Sequence, residues 1–214
     1  MPAAGILPRI GASARIRRMT WYVPAVGELT PQRGNAFSRG LARLAMRAIG
    51  WRFAGEIPNL SKMMIIVAPH TSNWDFPVGV TAKFALGIRA SFLGKDTLFR
   101  WPFGVVMRWL GGIPVFRHAP RNVVEQTIDH VNRHERIVLV VAPEGTRRKL
   151  AAWRSGFHYV ALGTGIPILP AALDFSTKTV RFFPIHQPAP DLETDLKELG
   201  RHFNAGMAYH PSQY

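Results

Sequence analysis

Short apolar runs alternate with amphipathic stretches along most of the chain, and this alternation predicts its secondary structure. Residues 63–68 and 137–142 are uninterrupted apolar runs with the length of buried strands, whereas residues 122–134 carry apolar positions at helical spacing. The predicted helices cover residues 37–48, 74–88, 102–110, 122–134, 153–162 and 194–207. The predicted strands cover residues 63–68, 92–93, 113–116, 137–142, 166–173 and 179–184, the last of them as an edge strand.

Strands that alternate with helices are typical of an α/β fold. The 214 residues of the chain are the length of one ordinary domain. We therefore expect a single α/β domain over residues 36–214, in which helices flank a mixed, largely parallel central sheet. Residues 1–35 contain Pro, Gly and Arg without apolar periodicity, so the sequence predicts a basic N-terminal arm that is flexible or membrane-associated.

The first predicted helix is amphipathic and carries a separate arginine face. Its apolar positions are Phe37, Leu41, Leu44, Ala45 and Ala48. Arg39, Arg43 and Arg47 repeat every four residues on another face of the same helix. One interpretation is a surface helix whose apolar stripe packs on the core. The other, supported by the nearby rings of Trp51 and Phe53, is a helix that lies in the plane of a membrane surface.

No segment has the pattern of a membrane-spanning helix. Residues 155–173 form the longest stretch without Asp, Glu, Lys or Arg, and this stretch is long enough to span a bilayer. Its three glycines and two prolines favour a short helix, a glycine turn and a buried strand instead. The N-terminal arm is basic but contains no apolar segment long enough for a signal peptide.

The composition restricts both the partners and the chemistry of the protein. The chain has 27 Lys and Arg against 13 Asp and Glu, and its net charge of +14 favours a nucleic acid, an anionic membrane or a phosphorylated substrate. Arginines stand beside Trp, Phe and Leu and no nucleic-acid-binding motif is present, so we expect an anionic membrane surface and no nucleic acid. The absence of cysteine excludes a disulfide scaffold, a thiolate zinc site and a cysteine nucleophile.

A histidine and an aspartate stand at the junction between a predicted strand and a predicted helix. His70 and Asp75 follow the first predicted strand, and the active sites of α/β sheets gather at the carboxyl ends of strands. A histidine there can act as a general base near neutral pH, and an aspartate can orient and stabilise its ring. Thr71, Ser72 or Asn73 would cap the helix that follows.

The same spacing occurs a second time in a different context. His186 and Asp191 repeat it, but two prolines lie between them and no comparable strand-to-helix junction follows. The spacing alone therefore proves little, and the surrounding elements make His70 and Asp75 the candidate catalytic pair.

Three other segments place polar or cationic groups after predicted strands. The segment PEGTR, residues 143–147, has a glycine that permits close backbone approach, and a hydroxyl and a guanidinium that suit phosphate oxygens. Its Glu144 can orient an arginine or accept a hydrogen bond from a substrate hydroxyl. The segment GIPVFR, residues 112–117, ends in Arg117, and Lys95 follows another predicted strand.

Together with the apolar segment GIPILP, residues 165–170, these segments in this order resemble the PlsC-like glycerophospholipid acyltransferase family, also called the lysophospholipid acyltransferase family. That family has an H-x4-D block, a block from glycine to arginine, a P-E-G-T-R block and a later apolar block with two prolines. The resemblance covers roughly residues 60–175. Pro69, Phe116 and Arg148 depart from residues common in the family, which leaves the acceptor open.

The resemblance implies an acyl transfer that needs no metal and no cofactor. His70, oriented by Asp75, would take the proton of an acceptor hydroxyl that attacks the thioester of an acyl-CoA or acyl-carrier protein. The implied substrate-binding residues are Lys95, Arg117 and Arg147 on the acceptor phosphate, with Glu144, Gly145 and Thr146 shaping the pocket.

We expect a lysophospholipid acceptor, most simply 1-acylglycerol-3-phosphate, and a peripheral or monotopic protein at the cytoplasmic face of the membrane. One alternative is an acyltransferase for another acceptor, such as a lyso-ornithine lipid. Another is a non-catalytic protein that binds anionic lipid. The apolar and aromatic residues between Phe99 and Leu110 would line an acyl groove, dip into lipid or form plain core.

Overall fold

The structure, a computed structural model, describes residues 21–116, 122–145 and 152–214 and has one central sheet with helices on both faces. Its helices are α1 (Ala36–Ala48), α2 (Asp75–Leu86), α3 (Phe103–Trp109), α4 (Val123–Asn132), α5 (Gly156–Thr164) and α6 (Leu192–Gly200). Its strands are β1 (Arg52–Ala54), β2 (Lys62–Ala68), β3 (Ala90–Lys95), β4 (Gly112–Val115), β5 (Ile137–Val141), β6 (Ile168–Asp174) and β7 (Thr179–Phe182). Short 3-10 helices cover Asp96–Phe99, Ala205–Met207 and Pro211–Gln213.

The sheet is mostly parallel, as the alternation of strands and helices predicts. Its strand order is β1-β7-β6-β2-β5-β3-β4, and every neighbouring pair is parallel except β6 with β7. At the centre, Met64 of β2 lies opposite Leu139 of β5 and Ile168 of β6. The prediction of an α/β domain with a mixed, largely parallel sheet is therefore confirmed.

The two faces of the sheet carry two separate apolar cores. Met63 and Ile65 of β2 point into a core shared with α2, whereas Met64 and Ile66 point into a core shared with α5. Side chains along a strand alternate between faces, and a central parallel strand is covered on both. Because both faces of β2 are covered, its residues 63–68 form a continuous apolar run in the sequence.

Two predicted elements differ in the structure, and one strand, β1, was not predicted. β7 is an interior strand rather than an edge strand, because the three-residue strand β1 pairs with its free side. The helix predicted over residues 194–207 ends at Gly200, and Phe203 is buried in the turns beyond it. The glycines and asparagine of this stretch have low helix propensity, which favours turns over a longer helix.

Residues 21–35 pack against the domain, so the predicted flexible arm is corrected for this part of the chain. The indole nitrogen of Trp21 donates to the carbonyl oxygen of Trp51 at 3.1 Å. The hydroxyl of Thr30, which is fully buried, donates to the carbonyl oxygen of Pro58 at 3.2 Å. The rest of the predicted arm, residues 1–20, lies outside the described residues.

The apolar face of α1 points away from the domain. Phe37, Leu41 and Leu44 are 79%, 58% and 64% exposed. The opposite face packs instead, with Met46 buried and the Arg43 Nε donating to the carbonyl oxygen of Ala85 at 2.9 Å. The interpretation in which the apolar stripe packs on the core is therefore wrong.

Within the described ranges, no helix has both the length and the apolar character needed to cross a bilayer.

Candidate active site

Three parallel strands end at the same edge of the sheet, and each is followed or ended by a candidate residue. His70 follows β2, Lys95 is the last residue of β3, and Glu144 follows β5. Carboxyl ends of parallel strands form the usual ligand-binding edge of an α/β sheet. Three other candidates, Arg117, Thr146 and Arg147, lie outside the described residues.

His70 and Asp75 are in direct contact. The Nδ1 atom of His70 lies 2.9 Å from the Oδ2 atom of Asp75, whose side chain is buried at the start of α2, while the histidine side chain is 22% exposed. Because Nδ1 faces the carboxylate, the hydrogen-bond arrangement assigns its proton to Nδ1. The Nε2 atom is then left with a lone pair and can accept a proton.

The turn between the two residues fixes the position of the carboxylate. The backbone N–H of Ser72 donates to the Oδ2 atom of Asp75 at 2.8 Å, and the hydroxyl of Ser72 accepts from the N–H of Trp74 at 3.1 Å. Trp74 itself is the N-cap of α2 and makes no side-chain capping bond, so the predicted cap by Thr71, Ser72 or Asn73 is wrong. The Asp75 charge also lies at the positive end of the helix dipole.

Glu144 holds the backbone of His70. Both of its carboxylate oxygens lie 3.0 Å from the His70 backbone nitrogen, which donates to them. Burial raises the pKa of Glu144; the hydrogen bond from His70 opposes this rise, and the Asp75 charge adds to it. The buried carboxylate thus faces the backbone of His70, whereas the sequence suggested a contact with an arginine or a substrate hydroxyl.

Gly145 allows a cation that the motifs did not single out to approach the same turn. Its φ is +62°, and a Cβ atom there would lie 3.0 Å from the Cδ atom of Arg154. The backbone N–H of Arg154 donates to the carbonyl oxygen of Pro143 at 2.9 Å. Arg154 therefore lies beside the turn at residues 143–145, although no local pattern separates it from the other basic residues of the chain.

The second His–Asp spacing does not form a contact pair of the same kind. His186 Nε2 lies 3.0 Å from Asp195, which also pairs with His158 at 3.0 Å, while Asp191 caps α6. His158 and Asp195 are buried, so these residues form a structural polar network. In the described ranges, no group of three His, Asp or Glu side chains is arranged to hold a metal ion.

An apolar cavity of about 310 Å³ lies between the sheet and helices α4 and α5. Its lining includes Met64, Leu93, Leu139, Phe157 and Val160. Pro143 and Gly145 also line it, so the cavity reaches both neighbours of Glu144, at the edge of the sheet where His70 lies. It can hold an apolar chain with one end close to Glu144.

The aromatic segment before β4 is divided between core and surface. Phe99 and Leu110 are buried. Most of the residues between them are exposed: Trp101 at 87%, Phe103, Val105, Val106 and Trp109. The segment is therefore neither plain core nor a closed acyl groove, and it presents a second apolar surface in addition to α1.

Comparisons with known proteins point to one family. A family model described as Acyltransferase matches residues 51–174. The 1-acyl-sn-glycerol-3-phosphate acyltransferase of Escherichia coli (strain K12) is 29% identical over 156 residues, which are 68% of this chain and 62% of that protein. The enzyme of the same name from Salmonella typhimurium is 28% identical over the same coverage. The chain thus spans about 62% of the length of these relatives.

A solved structure shares the fold. The crystal structure of the 1-acyl-sn-glycerophosphate (LPA) acyltransferase PlsC from Thermotoga maritima aligns with a TM-score of 0.59 and 18% sequence identity. The alignment covers 78% of this chain and 75% of that chain.

Proposed function

The chain belongs to the Acyltransferase family, as its motifs predict, and we propose that it is an O-acyltransferase that moves a fatty acyl group from an acyl thioester to the hydroxyl of a lysophospholipid. The observation that carries this proposal is the 2.9 Å contact between His70 and Asp75 at the ligand-binding edge of the sheet. The proposed acceptor is 1-acylglycerol-3-phosphate, the substrate in the name of the Escherichia coli relative.

His70 is the proposed general base. Its Nε2 atom takes the proton of the acceptor hydroxyl as the oxygen forms a bond to the thioester carbonyl carbon. Asp75 stabilises the imidazolium that results, because its buried carboxylate lies against Nδ1. The carbon–sulfur bond then breaks, and the leaving thiolate takes the proton back from the imidazolium, so the base is regenerated.

Lys95 is proposed to bind the acceptor phosphate, together with Arg117 and Arg147. In support, Lys95 is exposed at the end of β3, on the same edge of the sheet as His70. Lys95→Ala is expected to raise KM for 1-acylglycerol-3-phosphate about tenfold, because one charge-assisted contact is lost, with little change in kcat. Steady-state rates with varied acceptor measure this.

Lys197→Ala is the matched control, since Lys197 is an exposed lysine on α6. An equal rise in KM for both variants would mean that only the overall charge matters. An unchanged KM for Lys95→Ala would remove Lys95 from the phosphate site.

The acyl chain is proposed to lie in the apolar cavity between the sheet and helices α4 and α5. The cavity is lined mostly by aliphatic and aromatic side chains, with Thr127 and Arg154 as its polar residues, and it reaches Gly145, next to the residue that holds His70. Apolar lining suits a hydrocarbon chain, which has no polar group to satisfy.

The apolar face of α1 is proposed to contact the membrane, as a peripheral anchor at the cytoplasmic face. Arg43 and Arg39 point toward the domain, where they bond to Ala85 and Gln32, so α1 offers mainly apolar side chains to lipid. Replacing Leu41 and Leu44 by serine is expected to weaken binding to anionic phospholipid vesicles about tenfold or more, because two exposed leucines no longer enter the acyl region.

Co-sedimentation with vesicles measures this effect. Leu162→Ser is the control, since Leu162 is an exposed leucine on α5. Binding that is equal for the double variant and the wild type would show that α1 is not the anchor.

The acceptor is identified by offering the purified protein an acyl thioester and a panel of lysolipids, with product detection by mass spectrometry. The proposal predicts the fastest acylation of 1-acylglycerol-3-phosphate. Preference for a lyso-ornithine lipid would keep the reaction and change the acceptor. Tight vesicle binding without acylation of any lysolipid would favour a non-catalytic lipid-binding protein.

A further inference from the structure

An open cleft lies directly beside the candidate catalytic residues and outside the apolar cavity. It has a volume of about 480 Å³, within the usual range of ligand sites. One wall is formed by residues 71–74, which connect His70 to Asp75. The other wall is formed by Tyr209, His210 and Gln213. This second wall lies beyond residues 51–174, the part of the chain that matches the family model.

The C-terminal wall is tied to the catalytic loop by direct contacts. The backbone N–H of His210 donates to the hydroxyl of Thr71 at 3.1 Å. The ring of Tyr209 packs edge-on against Phe175, with ring centroids 5.2 Å apart. Burial, and then the nearby charge of Glu144, raise the pKa of Tyr214 to about 12. The segment therefore stays packed on the site.

The cleft and the proposed phosphate site lie on opposite sides of β2. Lys95 ends β3, and β3 is reached from β2 across β5. The wall of the cleft packs on Phe175, which follows β6, the neighbour of β2 on its other side. A substrate in the cleft and a phosphate bound at Lys95 would therefore approach the loop that follows β2 from different sides. Since an acyl transfer joins two substrates, the side without the phosphate site is left for the donor.

We propose that this cleft binds the phosphopantetheine arm of the acyl thioester donor, an inference that rests on the proposed acyltransferase function. The arm is a chain of two amides and a hydroxyl beside a dimethyl carbon. The cleft offers matching groups: the side-chain amides of Asn73 and Gln213, and the exposed rings of Trp74 and Tyr209. None of its described lining residues is acidic, so nothing there repels the phosphate of the arm.

Coenzyme A and acyl-carrier protein both carry this arm, so the cleft would bind a group that the two donors share. The test uses an acyl thioester of pantetheine itself, together with acyl-CoA and acyl-carrier protein, each varied at saturating acceptor, and the acceptor is varied separately at saturating donor. Asn73→Ala and Gln213→Ala are expected to raise KM for each donor about threefold to tenfold, since each removes one hydrogen-bonding amide. The acceptor KM and kcat are expected to stay unchanged.

Asn132→Ala, at an exposed asparagine at the end of α4, is the matched control and is expected to leave every constant unchanged. A rise in acceptor KM, or a donor KM equal to that of the wild type, would overturn the assignment of the cleft. So would a rise for acyl-CoA alone, because the nucleotide rather than the arm would then be bound there. The wild-type rates with the two natural donors show which of them supplies the arm.

Failure of the proposed acyltransferase function would give a different experimental result from failure of the cleft assignment. If the wild-type protein transfers no acyl group from any of the three donors, the proposed acyltransferase activity is wrong and the cleft assignment falls with it. If the wild type transfers acyl groups and the variants keep their donor KM, only the cleft assignment is wrong.

Discussion

Replacing His70 by alanine is expected to lower kcat for lysophospholipid acylation by about 10²- to 10⁴-fold, the usual contribution of a general base. The imidazole is the group that lies at the end of β2 with a buried carboxylate on Nδ1 and Nε2 left to accept a proton. Alanine removes the proton acceptor but leaves the Glu144 contact, which is made to the backbone of residue 70. The fold and vesicle binding are therefore expected to persist.

The measurement is the rate of diacyl product formation at saturating donor and acceptor. His186→Ala is the matched control, because His186 has an aspartate at the same spacing but contacts Asp195 instead. This control is expected to keep kcat at a temperature where it is folded. Full turnover by His70→Ala in a clean preparation would show that His70 is not the base.

Replacing Asp75 by asparagine is expected to lower kcat by about 10²- to 10⁴-fold as well. In the proposed mechanism, the carboxylate stabilises the positive charge that His70 acquires, and it keeps the proton on Nδ1. An asparagine amide is neutral, so no negative charge would stabilise the imidazolium that forms on His70. Because Ser72 donates to the same oxygen, asparagine can keep part of the turn.

A matched control separates chemistry from stability. Asp195→Asn removes another buried carboxylate that contacts histidines, far along the chain on α6. It is expected to lower Tm, since it weakens a buried network, and to leave kcat unchanged below the melting transition. Equal losses of kcat in the two variants would mean that the effect of Asp75→Asn is structural.

The central strands could be predicted because they are covered on both faces. β2 and β5 contain continuous apolar runs, which single out interior strands of a parallel sheet. β1 could not be predicted, since three residues carry no measurable periodicity. β7 lies inside the sheet because β1 pairs with it, so the position of β7 could not be predicted either.

The orientation of α1 also needed the structure. Periodicity shows which residues share a face of a helix, and Phe37, Leu41 and Leu44 do share one. It does not show which face the rest of the domain covers. Here Met46 and the stem of Arg43 pack inward, because long basic side chains can bury their apolar part and satisfy their nitrogen on a backbone carbonyl.

In the candidate site, contacts between residues close in the chain could be predicted from the sequence, whereas contacts between distant residues could not. His70 and Asp75 are close in the chain, so their spacing at a strand-to-helix junction was enough to pair them. The bond from His70 to Glu144 joins residues 74 positions apart and exists because β2 pairs with β5. The hydrogen bond between His210 and Thr71 joins residues 139 positions apart, and no motif in the C-terminal segment predicts it.

One measurement tests the central claim most directly. Purified protein is incubated with an acyl thioester and 1-acylglycerol-3-phosphate in anionic vesicles, and the free thiol and the diacyl product are quantified together. Acyl transfer predicts equal amounts of both, with each falling in parallel in His70→Ala. Thiol release without acylated lipid would mean hydrolysis, and no thiol release from either acyl-CoA or acyl-carrier protein would contradict the proposed function.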